Sequence, residues 1–311
     1  MTRLIGDVGG TNARFALIEP EGPPENERHL MVRDFPDLGS AIESYLGGRA
    51  IDQAVIAVAT PVETDVIKFT NSPWTFSIAE LQGRLGLRRL AVINDFVAQA
   101  LAMPQLAAAE LEQIGTGAAT AGRAVGVLGP GTGLGVSALI PGTTGWTALP
   151  SEGGHVSFAP GNPREDAVLA TLRNRLGHVS NERLLSGQGL LNLAQALATI
   201  DGRACTADSP AAVTEAARAD SCPSCREAGH LFSSLLGAAA GDLALTIGAR
   251  GGIYITGGVC ARLGPLFDRA VFRHRFADKG RMRQFLEPIP TWLVLRTDTG
   301  LLGAAHYRID S

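Results

Sequence analysis

The chain has 311 residues, enough for one large or two medium domains, and its 38 glycines imply many tight turns. A net charge of −3 at pH 7 gives no electrostatic reason to expect nucleic acid or an anionic membrane as a partner. The N-terminus enters an apolar strand without a basic leader, and no apolar run reads as long and charge-free enough to span a bilayer, so a cytoplasmic protein is the expectation.

The first element is LIGDVGGTNARFAL, residues 4–17, a glycine pair between apolar runs. A Walker-type loop would need Gly-x4-Gly-Lys-Ser/Thr, and neither lysine of the chain, Lys68 or Lys279, sits in such a frame. A dinucleotide fingerprint would open a helix, whereas Ala13–Ile18 is short, apolar and without a helical stripe. The glycines therefore turn a β-hairpin whose tip exposes backbone N–H groups and the Thr11 hydroxyl, a nest suited to an anion. Taken alone, an ordinary glycine hairpin accounts for the same pattern.

Beyond it, residues 38–47 read as a short helix and AVIAVAT, 54–60, as a buried strand. SIAELQGRLG follows as a helix with Ser77 as N-cap and Glu80 three positions on, the spacing of a capping box. RLAVIND is the next strand, and FVAQALAM a helix stopped by Pro104. Strands alternating with helices predict an α/β sheet.

The opening pattern then returns. GVLGPGTGLGVSALI, 126–140, is again strand, glycine turn and strand, and Gly6–Ala16 aligns with Gly129–Ala138 with one residue of difference in the turn. Two such hairpins predict a duplicated domain. Gly117–Gly122 is the loosest segment and a candidate crossing between the halves. A third glycine pair, Gly257-Gly258, follows the apolar strand GGIYIT, at the strand end where ligands sit in open α/β sheets. Cys222-Pro-Ser-Cys225 is a lone C-x-x-C at a helix start, distant in sequence from Cys205 and Cys260, and reads as inert thiols.

Three glycine loops over two halves resemble the actin, sugar-kinase and Hsp70 superfamily. Within it, GDVGGTNARFAL, TNSPWTFS, INDFVAQALA, GPGTGLG, LPSEGGHVSFAP, NERLLSGQGL and ITGGV stand in the order found in bacterial glucokinases of the proteobacterial type. Seven motifs in register cover about residues 4–307, and the cysteine-rich zinc motif of related sugar kinases is missing. The resemblance implies two duplicated α/β domains of the actin/hexokinase-like (ribonuclease H-like) ATPase fold with an interdomain cleft that closes on the sugar. The small domain would be 1–108 completed by 298–311, and the large one 109–297.

It also implies ATP-dependent phosphorylation of glucose to glucose 6-phosphate, with Mg²⁺. By similarity Asp95 accepts the proton of the sugar 6-hydroxyl and Asn94 binds the same sugar, although Asn-Asp after a strand also suits a helix N-cap. Glu152, His155 and Glu182 match the sugar-contacting positions, and Asn71 is a softer candidate. A lone histidine is equally at home on a surface, and Glu182 in a first helical turn. For ATP the resemblance assigns Gly6, Asp7, Val8, Gly9, Gly10, Thr11 and Asn12 of the first turn, and Gly131, Thr132 and Gly133 of the second, to opposite sides of the phosphates. Gly257 and Gly258 fall on the adenine half, and Asp7 on the Mg²⁺ side through water. Pro130 and Ser151 depart from the family pattern, and Pro130 removes a donor from the second turn. A kinase for fructose, mannose or an amino sugar is the near alternative, and a sugar-sensing regulator the distant one. The family tendency is a homodimer.

Overall fold

In the computed structural model, which describes residues 2–19, 22–69, 72–143 and 145–309, the apolar runs bounded by glycine become strands. In chain order the first elements are β1 (Arg3–Val8), β2 (Asn12–Ile18), β3 (Glu25–Met31), α1 (Leu38–Leu46), β4 (Gln53–Val58), β5 (Val66–Lys68) and β6 (Thr75–Ser77). Next come α2 (Ile78–Arg84), β7 (Arg89–Asn94), α3 (Asp95–Ala102), β8 (Leu111–Ile114), β9 (Val125–Pro130), β10 (Leu134–Gly142) and β11 (Gly145–Ser151). The rest are α4 (Pro163–Leu176), α5 (Gly187–Ile200), α6 (Pro210–Arg218), α7 (Pro223–Ile247), β12 (Gly252–Ile255), α8 (Gly258–Leu263), α9 (Arg269–Ala277), α10 (Arg283–Leu286), β13 (Thr291–Val294) and α11 (Thr299–His306).

Helix starts follow the capping chemistry in the sequence. Ser77 accepts from the N–H of Glu80 at 3.1 Å, and its hydroxyl donates to Asp65, whose other carboxylate oxygen takes the Ala79 N–H at 3.0 Å. Asp37, Asn162, Ser186, Ser209 and Asp268 cap five further helices in the same way. Each such cap contributes about 1 kcal/mol.

The chain divides into two units: Met1–Leu106 with Trp146–Pro150 and Asp298–Ser311, and Ala107–Gly145 with Ser151–Thr297. In the first, the sheet order is β3-β2-β1-β4-β7, with β1 antiparallel to β2 and parallel to β4, and β4 parallel to β7. β4 is buried on both faces, as a central parallel strand must be. Its period of two sends Ala54, Ile56 and Val58 into a core with Leu38 and Ile42 of α1. Val55 and Ala57 face the other way, into a core with Val97 and Ala98 of α3 and Leu301 and Ala304 of α11.

The six-stranded sheet repeats the plan in the order β11-β10-β9-β12-β13-β8. β9 and β10 form the antiparallel hairpin, β9, β12 and β13 run parallel, and β8 adds an antiparallel edge. The turns differ as the alignment predicted: Val8 pairs with Ala13 across the first, Pro130 with Leu134 across the second. The duplicated α/β plan is thus present in both sheets.

Two expectations need correction. Gly117–Gly122 lies wholly inside the second unit and is tied down, with Ala118 N donating to Pro288 O at 3.1 Å and Thr120 N to Arg250 O at 2.9 Å. It is not a crossing between halves. Among the described residues one helix, α7, does have the length and composition of a membrane span, with a mean hydropathy of 1.3 over its apolar window. Yet 56% of that window is buried in the protein. Gly237 and Gly241 explain the burial, because a Cβ at either would overlap a carbonyl oxygen of α9, that of Phe272 or Phe276. Its apolar character serves a close helix crossing in the core.

The same close approach in the first unit is testable. A Cβ at Gly303 of α11 would overlap the Ala98 carbonyl oxygen of α3, whereas one at exposed Gly83 of α2 would meet nothing within 4 Å. Gly303→Ala should therefore lower stability in urea by about 1–3 kcal/mol or more, while Gly83→Ala should be neutral or add up to about 1 kcal/mol. Equal effects of the two substitutions would contradict this packing.

Candidate active site

In the first unit the glycine turn is drawn tight by Gly9 N donating to Asn12 O at 2.9 Å, and held to the start of the next segment by Val32 N donating to Thr11 O at 2.9 Å. Thr11 and Asn12 are exposed at the tip, beside half-buried Gly9 and Gly10. Not every residue of this stretch is available to a ligand. Gly6 is buried, and a Cβ there would come within 2.8 Å of the Ile56 side chain and 3.0 Å of the Phe15 ring. The Val8 side chain is fully buried. Gly6 is a packing glycine, and Val8 offers only its backbone, whose carbonyl already accepts from Ala59 N at 3.1 Å.

Asp7 stands between them on β1, opposite Arg14 on β2. Helix α11 begins over it, so closely that a Cβ at Gly300 would lie 2.6 Å from its carboxylate. Burial pushes the Asp7 carboxyl above its ordinary range, Arg14 opposes that, and Asp298 adds to it. The sequence reading missed Asp298 and Gly300, whose only signal is a Thr-Asp-Thr-Gly run near the C-terminus.

At the end of β7 the Asn-Asp pair divides its work. Asn94 is the N-cap of α3: its side-chain oxygen accepts from Phe96 N at 2.9 Å, and its amide donates to Thr60 O, just past β4, at 3.2 Å. Asp95 is the first helical residue, half-buried, with Oδ1 also 3.0 Å from Phe96 N. Asn71 lies outside the described residues.

In the second unit the remaining candidates gather on one hairpin. Across the Gly131-Thr132-Gly133 turn, Gly131 N donates to Gly133 O at 2.8 Å, and Gly187 N at the start of α5 donates to Gly131 O at 2.9 Å. Glu182 Oε2 accepts from Leu134 N at 2.9 Å. That oxygen fills the space a Cβ at Gly133 would occupy. Gly257, at a φ of 83°, abuts the Pro130 carbonyl just as tightly, and Gly154 the Leu134 carbonyl. Glycine at 154 and 257 is thus required by close approach to backbone, and Gly257 by its positive φ as well, whereas a side chain at 133 would displace the Glu182 carboxylate.

Glu152 and His155 flank Gly154 on a short helical turn, with Glu152 O accepting His155 N at 2.9 Å. Their side chains are exposed, with His155 Nε2 and Glu152 Oε2 3.6 Å apart. The two departures from the family pattern have local uses. Pro130 closes β9 against Gly257, and the Ser151 hydroxyl accepts from Gly153 N at 2.9 Å to shape the Gly-Gly turn. Thr256, which precedes Gly257, was not singled out from the sequence. Its hydroxyl is buried without a hydrogen-bond partner, the condition in which a buried polar group calls for one.

The chain matches the family model described as Glucokinase over residues 4–310. It is 47% identical to a glucokinase of Chromobacterium violaceum, covering 99% of this chain and 89% of the relative. It is likewise 47% identical to a glucokinase of Aromatoleum aromaticum, covering 97% and 93%. Among solved structures, a glucokinase from an Antarctic psychrotroph superposes with a TM-score of 0.90 at 35% identity, covering 98% of both chains. A ROK family glucokinase from Streptomyces griseus, solved with glucose and AMPPNP, shares the fold with a TM-score of 0.63 at 19% identity, covering 98% of each chain.

The raised Asp7 carboxyl carries a stability consequence. A carboxyl whose folded pKa exceeds its unfolded one contributes fully below the unfolded value, near ~4, and that contribution is lost as pH rises through the folded value. Asp7→Asn cannot titrate, so in nucleotide- and metal-free protein it should melt higher than the parent at neutral pH. The gap should open as pH rises from about 4 and then level off. A variant that melts lower, or a gap independent of pH, would refute the assignment of strain to Asp7.

Proposed function

The chain belongs to the glucokinase family and catalyses ATP-dependent phosphorylation of glucose, and we propose that Asp95 is the general base of that reaction. The observation that carries this reading is the division at the β7–α3 junction. Asn94 is the N-cap, and Asp95 places a half-buried carboxylate in the first turn of α3 at the end of β7, where its Oδ1 shares the Phe96 N–H at 3.0 Å. In the proposed reaction Asp95 accepts the proton of the sugar 6-hydroxyl as the oxygen attacks the γ-phosphorus. Asn94, fixed by its bonds to Phe96 and Thr60, presents a rigid neighbour to the same sugar.

Glu152, His155 and Glu182 are assigned to the ring hydroxyls, which carboxylates and imidazole recognise as strong hydrogen-bond partners. Asn71 keeps its place in the proposal by resemblance alone. The backbone N–H groups of the Gly9-Gly10-Thr11-Asn12 and Gly131-Thr132-Gly133 turns are assigned to ATP phosphates, since phosphoryl transfer is catalysed by positioning and charge stabilisation. Gly257 and Gly258 are assigned to close approach of the nucleoside, with the Thr256 hydroxyl beneath them.

Mg²⁺ fits the oxygen donors around Asp7. A desolvated carboxylate with Asp298 acting on it is a hard, anionic environment in want of a cation. When bound, the ion would neutralise charge on the phosphates. Asp7 would hold it through water, and Gly300 leaves room for the carboxylate to keep its place. Cytoplasmic residence, where ATP is supplied, and a homodimer belong to the same proposal. The glucokinase identity sets aside the sugar-sensing reading, and a coupled assay across glucose, mannose, fructose and glucosamine ranks the sugars.

Asp95→Asn tests the base directly. It keeps shape and an oxygen acceptor while removing proton acceptance, so turnover should fall by ~10²–10⁴-fold with near-native melting temperature and retained ATP binding. Turnover that survives while melting temperature drops would make Asp95 a structural residue. Glu152→Gln, by contrast, should raise the glucose KM far more than the ATP KM. A charge-assisted hydrogen bond of about 1.5–3 kcal/mol is at stake there, and equal effects on both constants would take Glu152 out of the sugar site.

A further inference from the structure

Cys205 is distant from Cys222 and Cys225 in sequence but not in space. The three sulfur atoms all lie within 4.8 Å of one another, and those of Cys205 and Cys225 are 3.8 Å apart. Cys260 is buried elsewhere in the core and is no part of the group. The cluster joins two elements. Cys222 is the N-cap of the 25-residue helix α7, its sulfur accepting from Cys225 N at 3.4 Å, and Pro223 opens the helix behind it. Cys205 comes from the loop between α5 and α6, so the three thiols link that loop to the start of α7 around α6.

The spacing is that of a coordination shell. Thiolates bind zinc at about 2.3 Å, which sets two tetrahedral ligands about 3.8 Å apart. Isolated core thiols have no reason to converge in threes. The electrostatics agree with the geometry. Burial opposes ionisation of Cys222, but hydrogen bonds from the Cys225 thiol and N–H and from Cys205 outweigh it and hold Cys222 below the ordinary thiol range. Burial, reinforced by Cys222 and Cys205, pushes Cys225 up.

We propose that Cys205, Cys222 and Cys225 form a three-thiolate site for one thiophilic cation of the zinc class. Its fourth position would be open to water or an external ligand. Binding displaces the thiol protons to solvent and clips the α5–α6 loop to the N-terminus of α7. Cys205 and Cys222 are half-buried, so an ion can reach the site from solvent. Cys205 follows the C-terminal end of α5, whose first residue, Gly187, holds the Gly131 turn.

The test uses the full chain, stripped of metal and kept reduced, titrated with Zn²⁺ against a chromophoric chelator and separately with Co²⁺. One equivalent of zinc should bind, and one equivalent of cobalt should give a thiolate-to-metal charge-transfer band. Cys205→Ser and Cys222→Ser, both at half-buried positions, should each lose the band. Each should weaken zinc by more than the ~10–100-fold that outer-shell changes cause. A second measurement needs no variant: zinc should protect Cys205, Cys222 and Cys225 of the parent chain together from alkylation, read by mass spectrometry. Zinc affinity no greater than that of Cys222→Ser, no charge-transfer band, or alkylation unchanged by zinc would each overturn the proposal.

Discussion

The second unit is organised around one close approach, that of the Glu182 carboxylate to the backbone at Gly133 and Leu134. The oxygen accepts the Leu134 N–H at 2.9 Å and occupies the space of a missing Cβ at 133. The phosphate-turn and sugar candidates of this unit meet at that contact. The hairpin turn is held from the other sides by Gly187 N at the head of α5 and by Gly257 against Pro130. Gly154 brings Glu152 and His155 up to the carbonyl of the same Leu134. Phosphate-turn and sugar candidates thus share the hairpin at Gly133 and Leu134, through the Glu182 side chain and through Gly154 against the Leu134 carbonyl.

The first unit uses the same device with different residues. Gly300 lets α11 start over Asp7, and Gly303 lets it run on against α3, so a C-terminal helix shapes the surroundings of an N-terminal carboxylate. Asn94 ties the end of β7 to the end of β4 through Thr60, which fixes where Asp95 begins its helix. Glycines whose missing side chains would overlap neighbouring atoms set the turn at Gly133 and the approach of Gly257 in the second unit, and the packing of α11 at Gly300 and Gly303 in the first. The price is a burial that raises the Asp7 carboxyl in the absence of a cation.

Local patterns were legible in the sequence because their causes are local. Glycine turns between apolar runs gave both hairpins, the apolar run at 54–60 gave a strand, and Ser77 three residues before Glu80 gave a helix start. Duplication could be read because strand, glycine turn and strand recur with a turn one residue shorter, and the two sheets repeat one order. What could not be read depends on partners far away in the chain. The resemblance placed Gly6 among the nucleotide residues, and nothing near it in sequence shows that it packs against Ile56 and Phe15. Nothing near Asp7 announces Asp298, and nothing near Cys222 announces Cys205. The composition of α7 misleads in its own way. Glycine and alanine at a helix crossing look the same in a hydropathy window whether the neighbour is lipid or α9.

The central claim is that the Gly133 turn and the Glu182 carboxylate act as one unit in glucose phosphorylation. A double-mutant cycle of Gly133→Ala and Glu182→Gln, read in kcat/KM for glucose and for ATP, measures it. The account predicts that Gly133→Ala alone impairs both substrates, because the new methyl displaces the carboxylate. It also predicts that the two substitutions combine non-additively, by about 0.5–3 kcal/mol. Additive effects, or a Gly133→Ala enzyme whose use of glucose is unchanged, would contradict it.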